Sequence, residues 1–156
     1  MEPASPEEIA QAREALKTFF AEFPLFKNMG FELLDVEPGR SVIRATHRYD
    51  LCQPAGVMHG GVIATLVDTG MAHSILLTEY NRRLHYSGGS IVSLDLRIKY
   101  FRPVPNGTII ATSTAPRLGS RIVHTESVVT NEQGKEVAKA DAIFMGVEGM
   151  PVRTDR

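Results

Sequence analysis

The 156-residue chain has a single cysteine, Cys52, and no tryptophan. One thiol excludes an intrachain disulfide and any multi-cysteine zinc or iron–sulfur centre. Charge of one sign is also missing: 17 Lys and Arg stand against 18 Asp and Glu, a net −1. No global excess marks the chain as a binder of nucleic acid or of an anionic membrane. Long hydrophobic runs are absent as well. The most apolar stretch, Val62 to Leu77, is broken by Thr65, Asp68, Thr69 and His73. A spanning helix needs about 20 predominantly apolar residues, and a mid-span Asp costs roughly 2.5–3.5 kcal/mol. The start, Met1-Glu2-Pro3-Ala4-Ser5-Pro6-Glu7-Glu8, is acidic and lacks the basic and apolar regions of a signal peptide. These absences predict a soluble, cytoplasmic chain with no membrane span and no nucleic-acid partner. There is no Walker A or dinucleotide fingerprint, and neither Ser74 nor Ser93 sits in a Gly-x-Ser-x-Gly elbow. His47, His73, His85 and His124 have no metal-ligand spacing with one another or with Asp68, so no metal site is expected. Cys52 has no evident His partner in the sequence and no catalytic-cysteine context.

What is present is ordinary for a globular protein: 43% hydrophobic and 22% charged residues. A chain of this length forms one domain that buries about 68–70% of its unfolded surface. Ser5-Pro6-Glu7-Glu8 carries a capping box with Pro at the first helical position. Ile9, Ala12, Leu16, Phe19, Phe20 and Phe23 follow at helical spacing, and Pro24 ends the run. This amphipathic helix is expected to dock on a core. Phe31–Glu37 and Arg40–Arg48, joined by Pro38-Gly39, read as a hairpin. Leu51–Gly61 is a loop, and Val62–Tyr80 is a helix apolar on nearly every side, which belongs at the centre of a fold.

Four more strands follow: Ser90–Phe101, Thr108–Ala115, Arg121–Asn131 and Glu136–Val147. The first of these alternates, with Val92, Leu94, Leu96, Ile98 and Tyr100 on one face and Ser93, Asp95, Arg97 and Lys99 on the other. The order of elements predicts an α+β domain in which an antiparallel sheet curls around one central helix. Residues 1–28 form the N-terminal helix, 29–148 the main domain and 149–156 a flexible tail. One sheet around one helix leaves an edge strand and an outer face that a second copy can cover.

Asp68 is the most informative residue. Its neighbours one turn away are Ala64, Thr65, Met71 and Ala72. A carboxylate rarely enters such a helix without a partner or a purpose. Either it caps or pairs with a cation, or it serves catalysis or a ligand. Met58-His59-Gly60-Gly61 precedes the same helix. Paired glycines there let a ligand approach free N–H groups at a helix N-terminus, the ingredients of an oxyanion hole. His59 is either an acid–base group or a residue that orients the loop.

Gln53-Pro54-Ala55-Gly56-Val57-Met58-His59-Gly60-Gly61-Val62-Ile63-Ala64-Thr65-Leu66-Val67-Asp68 resembles the signature of hotdog-fold acyl-CoA thioesterases, most closely the phenylacetate-degradation type. Ser93 to Pro103 resembles that family's next motif. The resemblance implies a hotdog fold whose sausage is the helix from Val62. It also implies a homodimer that pairs into a homotetramer, with active sites at the dimer interface. In that family's terms the Gly60 N–H, with Gly61 beside it, polarises the thioester carbonyl. Asp68 of the facing protomer is nucleophile or general base, with Thr69 beside it. Ser93 places the water, and Gln53 stands where an Asn is common. CoA is part of the substrate, and no separate cofactor is implied. Arg117-Leu118-Gly119-Ser120-Arg121 resembles a turn that lies near CoA, and Arg97 and Arg102 are further candidate cations. Tyr80, His85 and Tyr86 are candidates for shaping an aryl or medium-chain acyl pocket. A hotdog hydratase or dehydratase and a non-catalytic acyl-CoA-binding module are the alternatives.

Overall fold

The computed structural model describes residues 3–150; residues 151–156 of the expected tail lie outside the described residues. The first helix, α1 (Pro6–Glu22), begins as the sequence indicates. The Ser5 hydroxyl accepts the Glu8 N–H at 3.2 Å, and the Glu8 carboxylate accepts the Ser5 N–H at 2.7 Å. Pro24 ends α1, but its fixed φ also suits the first position of a new helix. A short α2 (Pro24–Met29), absent from the sequence reading, therefore follows at once. The aromatic stripe divides. Phe20 is buried and stacks on Phe26 at 4.3 Å between centroids, whereas Phe19 is 44% exposed.

The strands are β1 (Phe31–Glu37), β2 (Arg40–Thr46), β3 (Ser90–Tyr100), β4 (Thr108–Leu118), β5 (Ile122–Asn131) and β6 (Glu136–Val147). They form one antiparallel sheet in the order β1-β2-β4-β5-β6-β3. β2 stops two residues short of the expected Arg48, while β4 runs three beyond Ala115. Pro116 sits in an irregularity of the β4–β5 ladder between Thr114 and Arg117, where its missing N–H leaves no ladder bond unmade.

The central helix α3 (Gly60–Leu76) lies against this sheet. Ser41 Oγ donates to the Gly70 carbonyl at 2.7 Å, and a Cβ on Gly70 would lie 2.5 Å from Ser113 Oγ. Glycine at this one position lets the helix backbone rest against the Ser41 and Ser113 side chains of β2 and β4. The expected helix Val62–Tyr80 is in fact two, α3 and α4 (Glu79–Tyr86), meeting at 81°. Thr78 makes the break. Its hydroxyl donates to the Ile75 carbonyl at 2.6 Å and accepts the Asn81 N–H at 3.3 Å, so one side chain closes α3 and caps α4. Among the described residues no single helix is long and apolar enough to cross a membrane.

β3 departs from strict alternation. Ser93 faces Phe144 across the ladder, yet Asp95 faces Ile143, so Leu94 is an extra, bulged residue and is 53% exposed. A bulge reverses side-chain parity. Ile91 before it and Leu96 and Ile98 after it all pack on the core. Ser93 thus shares the helix-facing side, not the polar face with Asp95, Arg97 and Lys99 that alternation predicted.

His73 on α3 is buried, with Nδ1 2.7 Å from the Thr69 carbonyl. Phe20 and Phe26 meet its ring edge-on at 5.0 and 5.6 Å. Burial lowers its pKa to about 4, against the weaker pull of the Thr69 carbonyl. A depressed histidine contributes stability above its unfolded pKa near 6.5 and loses it as pH falls toward the folded value. Urea midpoints at fixed protein concentration are expected to report a loss of about 2 kcal/mol between pH 7.5 and pH 5. His73→Gln is expected to show a smaller loss over the same range.

Candidate active site

The site is built around the two ends of the first half of α3. His59 is the N-cap, and its Nδ1 accepts the Gly61 N–H at 2.8 Å. Tyr100, at the end of β3, donates its hydroxyl to the Gly60 carbonyl at 2.8 Å. Burial raises the Tyr100 pKa, which keeps the phenol protonated and a donor. The peptide linking Gly60 to Gly61 is therefore held at its carbonyl by Tyr100 and at its N–H by His59. The Gly60 N–H precedes this clamped unit and makes no hydrogen bond among the described residues. A Cβ on Gly60 would lie 3.3 Å from the Tyr100 ring, so glycine also admits this close seat. Of the two N–H groups the sequence offered, that of Gly61 is occupied and that of Gly60 is open.

Asp68 follows two turns later, half-buried, with Thr65 on the preceding turn donating its hydroxyl to the Gly61 carbonyl at 2.9 Å. The Oδ1 atom of Asp68 is enclosed and, among the described residues, has no hydrogen-bond partner. Burial raises its pKa, and hydrogen bonding with the Ser93 side chain opposes the rise. The bulge in β3 is what turns Ser93 toward it. Thr69, next in sequence, is buried, and its carbonyl serves His73.

Gln53 turns back on its own loop. Its Oε1 accepts the Ala55 N–H at 2.9 Å. Cys52 is not without a histidine: His47 Nε2 lies 3.0 Å from its Sγ, and the Arg48 carbonyl lies 3.1 Å away. His47 is five residues back and reaches the thiol because the one-turn helix Tyr49–Leu51 turns the chain between them, a proximity that spacing alone did not reveal.

The candidate cations separate. Arg97 pairs with Asp141 at 2.6 Å and with Asp95 at 3.4 Å. Arg102 donates to the Glu136 carbonyl. Gly119, Ser120 and Arg121 instead line a groove of about 840 Å³ together with residues of α4, and Arg117 lies just before them in β4. Tyr80 also lines this groove, while His85 and Tyr86 are exposed. Tyr100 was missed as a site residue because its position on an apolar face marks only a core residue. Among the described residues no group of three His, Cys, Asp or Glu could hold a metal.

The profile of the family described as the thioesterase superfamily matches residues 55–138, a span that contains Gly60, Asp68, Ser93 and the Gly119–Arg121 turn. The chain belongs to the thioesterase superfamily. Other comparisons agree with this thioesterase assignment. Human acyl-coenzyme A thioesterase 13 is 29% identical over 109 residues, which cover 69% of this chain and 73% of that protein. The medium/long-chain acyl-CoA thioesterase YigI of Salmonella typhimurium is 25% identical over 154 residues, covering 88% of this chain and 97% of that one. The Escherichia coli PaaI protein from the phenylacetic acid degradation operon superposes with a TM-score of 0.78 at 20% identity, covering 95% of this chain and 100% of that one. That likeness fixes the architecture as the hotdog fold, with α3 as the thioesterase domain's central helix.

The raised pKa of Asp68 has a sign that stability measurements can read. A carboxyl whose folded pKa is raised contributes stability below its unfolded pKa of about 4 and loses it as pH rises through the folded value. Asp68→Asn, neutral throughout, is expected to be more stable than the parent at pH 8. The difference in urea midpoint is expected to shrink as pH falls toward about 4.

Proposed function

We propose that this chain hydrolyses an acyl-CoA thioester, with an aryl or medium-chain acyl group, to the free acid and CoA. The observation that carries the reading is Asp68: a carboxyl with an enclosed, unpartnered oxygen and a raised pKa, beside a hydroxyl, on the same helix as an open N–H at Gly60. The named acyl-CoA thioesterases among its relatives support the substrate class.

In the proposed step Asp68 acts as general base. A water molecule shared with the Ser93 hydroxyl bonds through its oxygen to the thioester carbonyl carbon. Its proton passes to Asp68, and the carbonyl electrons move onto oxygen, where the Gly60 N–H receives the charge. The intermediate collapses, the carbon–sulfur bond breaks, and Asp68 returns the proton to the leaving thiolate. Direct attack by Asp68 would give a mixed anhydride instead, and the Ser93 hydroxyl beside the carboxyl favours the route through water.

Gly60 and Asp68 are eight residues apart, about 12 Å along one helix axis. A site that needs both near one carbonyl is better made from two chains. β3 is an edge strand and bears Leu94 and Tyr100, with Phe101 just beyond its end, each about half exposed. Antiparallel pairing of two β3 edges about a two-fold axis also sets two α3 helices antiparallel. The Gly60 end of one helix is then opposite Asp68 of the other. We take the homodimer as the working unit, with a homotetramer as its further assembly.

Thiol release from a panel of acyl-CoA substrates tests the reading. Hydration of an enoyl-CoA without thiol release would instead indicate a hydratase, and binding without turnover a sensor module. Asp68→Asn is expected to lower kcat by roughly 10²–10⁴-fold with gel-filtration behaviour unchanged; near-normal hydrolysis would sink the role. The parent kcat is expected to fall as pH drops through an ionisation above the usual carboxylate range, because the base must be charged to act. Tyr100→Phe unties the Gly60 carbonyl and is expected to lower kcat roughly tenfold with little change in KM. That is less than the 10²–10³ lost with a whole oxyanion donor.

A further inference from the structure

We infer that an exposed ridge of α1, formed by Ala12, Ala15 and Phe19, packs antiparallel on the same ridge of a second copy and joins two homodimers into a tetramer. The inference rests on the homodimer of the proposed reading and adds the surface that assembles it further. α1 lies outside the span that matches the superfamily profile, residues 55–138, so that match accounts for nothing on its surface. One side of α1 packs on its own chain. Phe20 is buried against Phe26 and His73, and Ile9 and Leu16 on the same face are partly covered. About a quarter-turn round the helix, Ala12, Ala15 and Phe19 recur at spacings of three and four residues, and all three are exposed.

The ridge is low at one end and high at the other. Ala12 and Ala15 leave a shallow seat along its first half. Phe19 stands out from the second half, tilted on Phe23 with 5.3 Å between ring centroids. A two-fold axis passing by Ala15 turns one helix antiparallel to the other and sets each Phe19 over the Ala12 seat of the other copy. α1 has 17 residues and is about 25 Å long, so this match of large on small occurs twice in one contact. Antiparallel helices also oppose their macrodipoles. The acids at the two ends of the ridge are already engaged, Glu8 by the Ser5 N–H at 2.7 Å and Glu22 by Lys27 at 3.6 Å.

The homodimer doubles this contact. A two-fold axis that pairs two β3 edges antiparallel stands normal to the sheet, so both protomers keep their helices on one face. α1 lies on the α3 face, because Phe20 reaches His73, and it packs at β1, the edge of the sheet far from β3. Each dimer therefore offers two ridges on one side, and a second dimer meets both at once. One helix pair is a small contact beside the roughly 1,200–2,000 Å² of a specific interface, and engaging two pairs together makes the second intramolecular. Such closure uses every ridge and gives a tetramer rather than a filament. α1 and α2 together carry four acidic and three basic side chains, no excess that would draw the ridge to an anionic membrane.

Sedimentation equilibrium of the full chain at micromolar concentration is the test. The parent is expected to have the mass of four chains, and Ala15→Glu and Ala15→Lys that of two, each variant with the parent kcat for thioester hydrolysis. Glutamate and lysine are good helix formers, so α1 persists in both variants, which circular dichroism checks. Mixing the two variants is expected to restore four chains, because the new carboxylate then meets the new ammonium across the axis. Phe19→Ala is expected to raise the dimer–tetramer dissociation constant roughly tenfold. A tetramer that survives Ala15→Glu assigns the assembly to another face and overturns the inference. So does a parent of two chains whose mass Ala15→Glu leaves unchanged, or a mixture that stays at two chains. Binding of the parent to vesicles of equimolar phosphatidylcholine and phosphatidylserine, lost in Ala15→Glu with no change of mass, marks a membrane contact and overturns it as well. A parent of two chains that Ala15→Glu splits into single chains keeps the ridge pairing and removes the β3 homodimer. If the parent releases no thiol from any acyl-CoA, the catalytic reading fails while the masses still decide the ridge.

Discussion

The direct contact of α3 with β2 and β4 at Gly70 is the constraint on which the rest of the molecule depends. With the helix backbone this near the sheet, Ser41 reaches the Gly70 carbonyl and only the small serine side chains of the strands lie between. The helix is thereby fixed in height and rotation. Its N-terminus is carried to the end of β3, where Tyr100 meets the Gly60 carbonyl, and its middle is carried to Ser93. Both groups assigned to the chemistry depend on that single seat. The buried serines at the contact, Ser41 and Ser113, are themselves hydrogen-bonded, Ser113 to Ser127, so their polarity does not weaken the core.

The electrostatics of the site follow from the same burial. A carboxyl that is partly withdrawn from water holds its proton more tightly, and one of its oxygens has no donor. In a purely structural position this would be a fault; at a site that handles a proton it is a usable disposition. The cost is tolerable because the surrounding helix is tightly held, with Leu66, Val67, Met71 and Ile75 fully buried around it.

Much of this was legible in the residues. The capping box at Ser5, β1, β6 and the central position of the apolar helix were all readable because each rests on local chemistry or on strict periodicity. The pairing of His-Gly-Gly with Asp68 was readable because an acidic residue in an apolar helix is costly and therefore conspicuous. Three features were not. The break at Thr78 depends on one hydroxyl preferring two carbonyl and amide partners over a continued helix. The short α2 depends on Pro24 serving as both stop and start. The bulge at Leu94 is invisible to a pattern of apolar residues, because Leu94 is itself apolar and keeps the alternation on paper. The Cys52–His47 contact depends on a one-turn helix with no periodic signal, and the walls of the α4 groove are tertiary.

The bulge also bears on how this strand tolerates change over evolutionary time. Leu94 is the residue that reconciles two phases of one strand, and its side chain lies largely outside. Its identity is therefore loosely held. Substitutions there alter a surface, and without Leu94 the residues Ile91, Ser93, Leu96 and Ile98 would still alternate onto one face. What would turn Ser93 away from Asp68 is the loss of the bulge with every residue kept, because unbroken alternation puts Ser93 and Leu96 on opposite faces.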